Sequence, residues 1–146
     1  MSGGNMDINS LDRFIEAQKP LYAIALEEIK RGEKRSHWMW FIFPQMRGLG
    51  KSNLSHAFGI SGLDEARAYL AHPVLSARLV EICEALLSQK KKKPEDIFGY
   101  TDAVKLCSSM TLFALVSEDG SVFHKVLKRF YHGQIDARTL ELVNKP

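Results

Sequence analysis

Polar side chains adjoin the two tryptophans of the chain, and this segment is the first that could do chemistry. Ser36 and His37 precede an apolar, aromatic run that contains Trp38 and Trp40, and Gln45 follows that run. Such a mixture is typical of a pocket in which a planar ring stacks on an indole while its polar edge, or a phosphate, meets donors. The alternative is that both tryptophans belong to the core and Ser36 caps the element that carries them.

A second group of polar side chains lies in the segment 102–113, which is otherwise mostly apolar. Serine inside a helix competes with the backbone hydrogen bonds and adds no packing, so Ser108 and Ser109 are unusual there. With Lys105 and Asp102 they place hydroxyls, an ammonium and a carboxylate on one helix, which suits a polyhydroxyl or phosphate ligand. A solvent-facing polar side of the helix is the alternative.

The loop 48–52, Gly-Leu-Gly-Lys-Ser, shares its last three residues with a phosphate-binding P-loop. A P-loop has another glycine five residues before Gly50, and Gln45 occupies that position here. No hydrophobic strand ending in aspartate follows to hold Mg²⁺. We therefore expect a loop whose glycines let the backbone approach a ligand or a neighbouring helix.

Two basic segments, 30–35 and 90–93, are candidates for contact with a polyanion. The first contains Lys-Arg twice and the second is four consecutive lysines. Both segments suit phosphate groups, and they indicate RNA or an acidic protein as possible partners. Such runs also occur as ordinary solvated faces and connectors.

The composition of the chain is that of one globular domain. Its 146 residues are 45% hydrophobic and 25% charged, with a net charge of +3 and a pI near 8.9. These values exclude a disordered chain, a disulfide scaffold and a membrane span. The amino terminus shows no signal peptide, so we expect a cytoplasmic location. The histidines and cysteines lack ligand spacing, so no metal and no cofactor is predicted.

Apolar residues at helical spacing predict an all-α fold, a compact multi-helix single domain over 11–146 that follows a flexible amino terminus over 1–10. The segment 38–43 is apolar on all sides, so it is either a buried strand or a buried helix. Periodicity does not distinguish the two.

Residues at helix ends supply most of the predicted boundaries. Gly32 ends an early helix, Pro73 begins another, and Ser121 and Asp136 cap the last two. Pro20 either kinks the first helix or lies in the first turn of a second one.

Three motifs resemble an uncharacterised, mainly bacterial domain family of unknown function that is often mislabelled as calpastatin. They are Ser-His-Trp-Met-Trp-Phe-Ile-Phe-Pro-Gln over 36–45, Asp-Glu-Ala-x-x-Tyr-Leu-x-His-Pro over 64–73, and Lys-Leu-x-Ser-Ser-Met-Thr-Leu-Phe over 105–113. The resemblance covers almost the whole chain beyond the first ten residues. It implies a compact helical fold and no established activity.

The sequence is also similar, more faintly, to the NADAR proteins, N-glycosidases that act on ADP-ribosylated guanine and on riboflavin-pathway intermediates. Their Gln-Ala-Gln-Lys helix end corresponds to Glu-Ala-Gln-Lys over 16–19, and a proline-initiated helix corresponds to 72–75. The chain departs from them at Glu16, where they have glutamine, and at Phe98, where they have tryptophan. It also lacks their Gly-Asn-Leu-Gly segment.

This similarity and the polar groups together predict a pocket for a nucleotide-, ADP-ribose- or sugar-phosphate-type molecule, with N-glycosidase-like hydrolysis as its enzymatic form. The predicted water-activating carboxylates are Glu16 and Asp102. The predicted ligand-binding residues are Gln18, Lys19, Ser36, His37, Trp38, Gln45, Lys105, Ser108 and Ser109. The alternative is a non-catalytic module that binds RNA or protein through 30–35 and 90–93.

Overall fold

The computed structural model describes residues 10–145, and within them the chain is a compact all-helical domain, as predicted. The elements are α1 (Asp12–Gln18), α2 (Tyr22–Arg31), α3 (Met39–Ile42), α4 (Asn53–Ala57), α5 (Leu63–Ala71), α6 (Pro73–Leu87), α7 (Pro94–Leu115), α8 (Val122–Tyr131) and α9 (Ala137–Val143). Between them lies one isolated parallel bridge, which joins Met46 to Ile60. The predicted flexible segment 1–10 falls outside the described residues except for Ser10.

The segment 38–43 forms the short helix α3, so its alternative interpretation as a buried strand is wrong. Backbone N–H groups of Phe41 and Ile42 donate to the carbonyl of Trp38, and the N–H of Phe43 donates to the carbonyl of Met39. Among residues 10–145, no strand lies beside this segment to pair with it. A helix satisfies the buried backbone groups within the segment itself.

Local sequence signals set most of the helix ends where they were predicted. Gly32 ends α2 in the left-handed conformation, with φ of 79°, and Pro73 is the first residue of α6. Side-chain oxygens of Ser121 and Asp136 cap α8 and α9. Pro20 lies in the turn between α1 and α2, so the first helix ends there and does not kink.

Helix α7 runs through the centre of the domain, and α5, α8 and α9 pack against it. Its residues from Met110 to Ala114 are all buried, which is typical of a helix surrounded by others. Gly99, with φ of 79°, kinks α7 after its first turn and a half. The kink turns the helix so that Tyr100 lies on its exposed side.

Arg13 and Glu65 form a buried ion pair that fixes α1 against α5. The Arg13 guanidinium lies 2.9 Å from a carboxylate oxygen of Glu65 and also donates to the backbone carbonyls of Ser10, Ala57 and Gly59. Neither partner was singled out from the sequence, because each is an ordinary charged residue on an amphipathic helix. Across residues 10–145, we find no helix long and apolar enough to cross a membrane.

Candidate functional site

Glu28 in α2 organises the segment that precedes the tryptophans, although the sequence did not indicate it. One carboxylate oxygen accepts from the backbone N–H groups of Arg35 and Ser36 and from the indole N–H of Trp38, at 2.9, 3.0 and 2.9 Å. The other accepts from the Ser36 hydroxyl at 2.6 Å. Trp38 is only 1% exposed. Ser36 and Trp38 are therefore held by a neighbouring helix, and Trp38 belongs to the core.

The hydrogen bonds to Glu28 predict an acid-sensitive contribution to stability. Burial alone would raise the pKa of its carboxyl, but the donors from Ser36, Arg35 and Trp38 outweigh burial and lower the pKa to about 2, from an ordinary value of 4.5. A pKa below that of the unfolded chain stabilises the fold above about pH 4.5, and the contribution is lost as the pH falls toward 2.

We expect Glu28→Gln to lower the free energy of unfolding near neutral pH and to flatten its decline between about pH 4.5 and pH 2. The amide nitrogen of glutamine cannot accept the bonds that the carboxylate accepts. Urea denaturation over a series of pH values measures this slope. Glu27→Gln is the control, since the Glu27 carboxylate is 57% exposed and, among residues 10–145, pairs only with Arg31. Equal slopes for Glu28→Gln and the unchanged chain would contradict the prediction.

The predicted residues Glu16 and Gln18 of α1, and Lys19 at its C-cap, do not share a cavity with Trp38. Glu16 and Lys19 form an ion pair of 2.8 Å at the exposed surface. Gln18 is buried, where its amide donates to the carbonyl of Phe41 and to the Tyr69 hydroxyl. Its amide oxygen accepts from the Arg78 guanidinium, so Gln18 joins α1 to α3, α5 and α6.

Asp102 lies between two lysines, each of which rests on a tryptophan ring. Its carboxylate oxygens are 2.9 Å from the Lys34 ammonium and 3.1 Å from the Lys105 ammonium. Burial opposes ionisation of Asp102, but the two ammonium groups outweigh it and keep its pKa below the ordinary value. Lys105 lies 4.3 Å from the centre of the Trp40 ring. Asp102 is therefore placed to position Lys105.

A cavity of about 360 Å³ opens between the 48–50 loop, the second turn of α7 and the start of α9. We call it the α7–α9 cavity. It is lined by Trp40, Gln45, Leu49, Gly50, Tyr100, Thr101, Val104, Lys105, Ser108, Asp136 and Arg138. Three of the predicted ligand-binding residues, Gln45, Lys105 and Ser108, therefore share one cavity. The other predicted residues do not line it.

Gln45 has an unpaired amide at this cavity. The residue is only 5% exposed, and its backbone carbonyl accepts from the N–H of Ile60. Its side-chain amide makes no hydrogen bond to any residue between 10 and 145, although the amide atoms are not fully enclosed. Both amide atoms keep access to the cavity, since the only fully enclosed side-chain polar atom without a partner among residues 10–145 is the Ser109 hydroxyl. The Gln45 amide is thus a donor and an acceptor held ready for a ligand.

Positive charge and hydroxyl groups complete the polar lining. Lys105 is partly buried, and Arg138 lies exposed at the rim with no ion pair to another described residue. Ser108 is buried and its hydroxyl donates to the carbonyl of Val104, which leaves its oxygen able to accept. Asp136 contributes a carboxylate, one oxygen of which caps α9 by accepting from Thr139.

Tyr100 and Trp40 are the aromatic residues of the cavity, and neither was predicted to bind a ligand. Tyr100 is 78% exposed at the rim, where the Gly99 kink places it. One face of Trp40 lies under Lys105, and a Cβ at Gly50 would come within 2.9 Å of the indole. Gly50 therefore permits the close backbone approach that the sequence predicted. A tyrosine directly after a glycine that interrupts a helical segment was the available sequence signal.

Two further predicted residues lie elsewhere. Ser109 is fully buried in the core, and its hydroxyl finds no hydrogen-bond partner in the described part of the chain. His37 is exposed. Among residues 10–145, no group of three or more His, Cys, Asp or Glu side chains is arranged to hold a metal ion.

A wider groove of about 710 Å³ lies on the other side of the Tyr100 and Val104 side chains, between α7 and the end of α8. It shares Tyr100, Val104 and Asp136 with the α7–α9 cavity, and none of the predicted site residues lines it. Its one thiol, Cys107, has a pKa raised to about 11 because it is partly buried and faces Asp136. That thiol is therefore poorly suited to act as a nucleophile.

Comparison with known proteins places this helical domain in a family of unknown function. The chain belongs to the DUF1810 family, described as a protein of unknown function, whose model matches residues 8–143. It is similar to the conserved hypothetical protein Rv1873 from Mycobacterium tuberculosis, with 46% sequence identity and a TM-score of 0.91. That match covers 96% of this chain and 100% of the other. No protein with a curated description matches the chain.

The family match confirms the prediction of an uncharacterised domain family. The fainter similarity to the NADAR proteins, and the activity that it implies, stay predictions.

Proposed function

We propose that the protein binds a small anionic molecule of the nucleotide or sugar-phosphate type in the α7–α9 cavity. The observation that carries the proposal is the side-chain amide of Gln45, which opens on the cavity beside Lys105 and makes no hydrogen bond to a described residue, although the residue as a whole is only 5% exposed. Buried polar side chains in folded proteins nearly always have a partner. A ligand that supplies hydrogen bonds to this amide accounts for its position.

The charges at the cavity favour an anionic ligand. Lys105 and Arg138 line it against a single carboxylate, that of Asp136, so the lining is positive in sum, and Asp102 holds the Lys105 ammonium in place from outside the lining. A phosphate or carboxylate between these two cations would gain charge-assisted hydrogen bonds. The hydroxyls of Thr101 and Ser108 suit a sugar or another polyhydroxyl group.

The apolar part of the lining favours a ligand that also carries a ring. Leu49, Val104 and Tyr100 provide that surface, with the Tyr100 ring exposed at the rim. Trp40 is already covered by Lys105 on one face, so Tyr100 takes the stacking role that the sequence gave to Trp38. The cavity volume of about 360 Å³ is within the range of small-molecule sites.

A thermal-shift screen tests the proposal, because a ligand that binds only the folded state raises Tm. The panel contains inorganic phosphate, ribose 5-phosphate, AMP, ADP and ADP-ribose. We expect a concentration-dependent rise in Tm with at least one phosphorylated compound. Lys105→Met should abolish it, and Lys125→Met should not, since Lys125 is exposed on α8.

Gln45→Leu separates ligand binding from stability. Replacement of this amide, which makes no hydrogen bond to a described residue, by an apolar side chain of similar size should leave the Tm of the ligand-free protein unchanged or higher, while the ligand-induced rise disappears. A Tm that falls in the ligand-free variant would show that the Gln45 amide has a structural partner. No rise with any compound, or a rise unchanged in Gln45→Leu and Lys105→Met, would overturn the proposal.

Glycosidic hydrolysis in the same cavity is a second candidate, and Asp136 is the observation that favours it. The predicted carboxylates Glu16 and Asp102 do not line the cavity, whereas Asp136 does. Asp136 would take the water-activating role, because one of its oxygens caps α9 and the other makes no hydrogen bond to a described residue.

Chromatographic detection of released base or sugar, for each compound that binds, tests this second candidate. Asp136→Asn should abolish release without loss of binding, because asparagine still caps a helix. Intact substrate after prolonged incubation with every binder would overturn hydrolysis and leave the binding proposal standing.

A further inference from the structure

The two basic segments, 60 positions apart, form one surface in the folded protein. The Gln89 amide donates to the carbonyls of Ile29 and Lys30, at 2.9 and 2.8 Å. The Lys92 ammonium donates to the carbonyl of Gly32 at 2.9 Å. These bonds seat the connector between α6 and α7 on the carboxyl end of α2. We call the residues 30–35 and 88–93 together the basic surface.

The positive charge of the chain is concentrated on the basic surface, which the overall composition does not show. It holds eight of the twenty basic residues of the chain and only one of the seventeen acidic residues. The two segments carry +7 by sequence, but four carboxylates from elsewhere in the chain contact them, those of Glu27, Glu28, Asp96 and Asp102, and reduce the net charge of the surface to +3. The remaining residues sum to zero, so the net positive charge of the chain lies on this surface.

Several cations on this surface are exposed and have no acidic partner. Arg31 and Arg35 pair with Glu27 and Glu33, and Lys34 pairs with Asp102. Lys30, Lys90 and Lys91 are exposed and form no ion pair with any residue in the described range. Their charges therefore have no ion-pair partner among residues 10–145.

The backbone that carries these lysines is fixed. The Arg129 guanidinium of α8 donates to the carbonyls of Gln89 and Lys92, at 2.6 and 3.1 Å. With the bonds from Gln89 and Lys92 to α2, the connector is held from both sides. The lysines therefore project from an anchored segment, and less conformational entropy is lost when they bind a partner.

We infer that the basic surface binds the phosphodiester backbone of nucleic acid. A specific protein partner would need an apolar, well-packed centre to the interface, and the segments 30–35 and 88–93 expose no apolar or aromatic side chain. Phosphate contacts need only cations, and lysine is a flexible point charge suited to them. The same composition offers no means of reading bases, so binding is independent of sequence.

Fluorescence anisotropy with labelled RNA and DNA strands of equal length and sequence tests the inference. We expect binding to both at about 50 mM salt and a loss of affinity with rising salt, because counterions are released. In Lys30→Gln/Lys90→Gln/Lys91→Gln the salt slope should fall by about 2 for single strands, given about 0.7 per phosphate contact. Preference for RNA over DNA would assign the surface to RNA.

The matched control carries the same change in net charge at other exposed positions, Lys51→Gln/Lys125→Gln/Lys145→Gln. It should keep its affinity and salt slope. The same loss in both triple variants, or no binding at about 50 mM salt, would overturn the inference. Displacement of RNA by polyglutamate as readily as by unlabelled RNA would instead assign the surface to an acidic protein. Gln45→Leu should bind nucleic acid normally, so the inference stands or falls separately from the cavity.

Discussion

Replacement of Arg13 by alanine is expected to lower the free energy of unfolding by about 3–5 kcal/mol, because it leaves the carboxylate of Glu65 buried without its counter-ion. The side chains of Arg13 and Glu65 are only 4% and 8% exposed. The substitution also removes the donor to three backbone carbonyls, those of Ser10, Ala57 and Gly59. Loss of both kinds of interaction weakens the attachment of α1 to α5.

Chemical denaturation of Arg13→Ala measures this loss, and Arg67→Ala is the matched control. Arg67 pairs with Asp64, on the same helix as Glu65, but those two side chains are 58% and 104% exposed. We expect the control to change the free energy of unfolding by less than about 0.5 kcal/mol, since exposed ion pairs contribute little. Equal losses in the two variants would contradict a buried pair.

The double variant Arg13→Met/Glu65→Gln isolates the cost of the unpaired charge. Glutamine keeps an oxygen that can accept from the backbone N–H of Ser61, as Glu65 does now. Because both charges are removed together, the double variant should recover much of the stability that Arg13→Ala loses. A double variant as unstable as Arg13→Ala would show that the carbonyl contacts of Arg13, and not its charge, carry the effect.

The sequence predicts the helices well because their ends depend on neighbouring residues. The left-handed Gly32, the initial Pro73 and the caps at Ser121 and Asp136 each act over a few positions. The partners of buried charges, in contrast, do not follow from neighbouring residues. Arg13 and Glu65 are 52 positions apart, and only the packing of α1 on α5 brings them together.

The candidate site was predicted in part for the same reason. The sequence marks polar residues within apolar segments as unusual, but such a residue is satisfied either by a ligand, by water or by the protein itself. Gln18 has protein partners for its amide, whereas Gln45 has none among the described side chains and backbone groups. Sequence does not separate these cases, because the difference lies in what the fold places opposite each amide.

The places of Trp38 and Trp40 in the structure depend on whether the segment 38–43 is a strand or a helix. In a strand, Trp38 and Trp40 would point to the same face, since side chains alternate with a period of two. In the structure Trp38 is the non-helical N-cap of α3, with φ of −141°, and Trp40 lies within the helix, so the period of two is lost. Trp38 therefore enters the core beside Phe43 and Phe98, and Trp40 lines the α7–α9 cavity.

Alanine substitution should therefore lower the free energy of unfolding much more at Trp38 than at Trp40. Trp38→Ala is expected to lower the free energy of unfolding by about 3–5 kcal/mol, because it empties a fully buried site. It also removes a hydrogen bond to the Glu28 carboxylate. Trp40 is half-buried, so Trp40→Ala should cost less, mainly the contact with the Lys105 ammonium, about 1 kcal/mol. Denaturation curves compare the two losses.

For ligand binding we expect the reverse. Substitution of Trp40 should abolish binding and substitution of Trp38 should not, so the two variants together test where the ligand binds. Trp40→Ala frees the Lys105 ammonium from the ring that supports it, so the ligand-induced rise in Tm should be lost in a protein that remains folded. Trp38→Phe keeps a ring in the core but removes the donor to Glu28 and weakens the contact with Lys34, neither of which lines the cavity, so it should bind the ligand normally at reduced stability. If Trp38→Phe lost the ligand while Trp40→Ala kept it, the binding site would lie against the core indole, as the sequence first indicated, and not in the α7–α9 cavity.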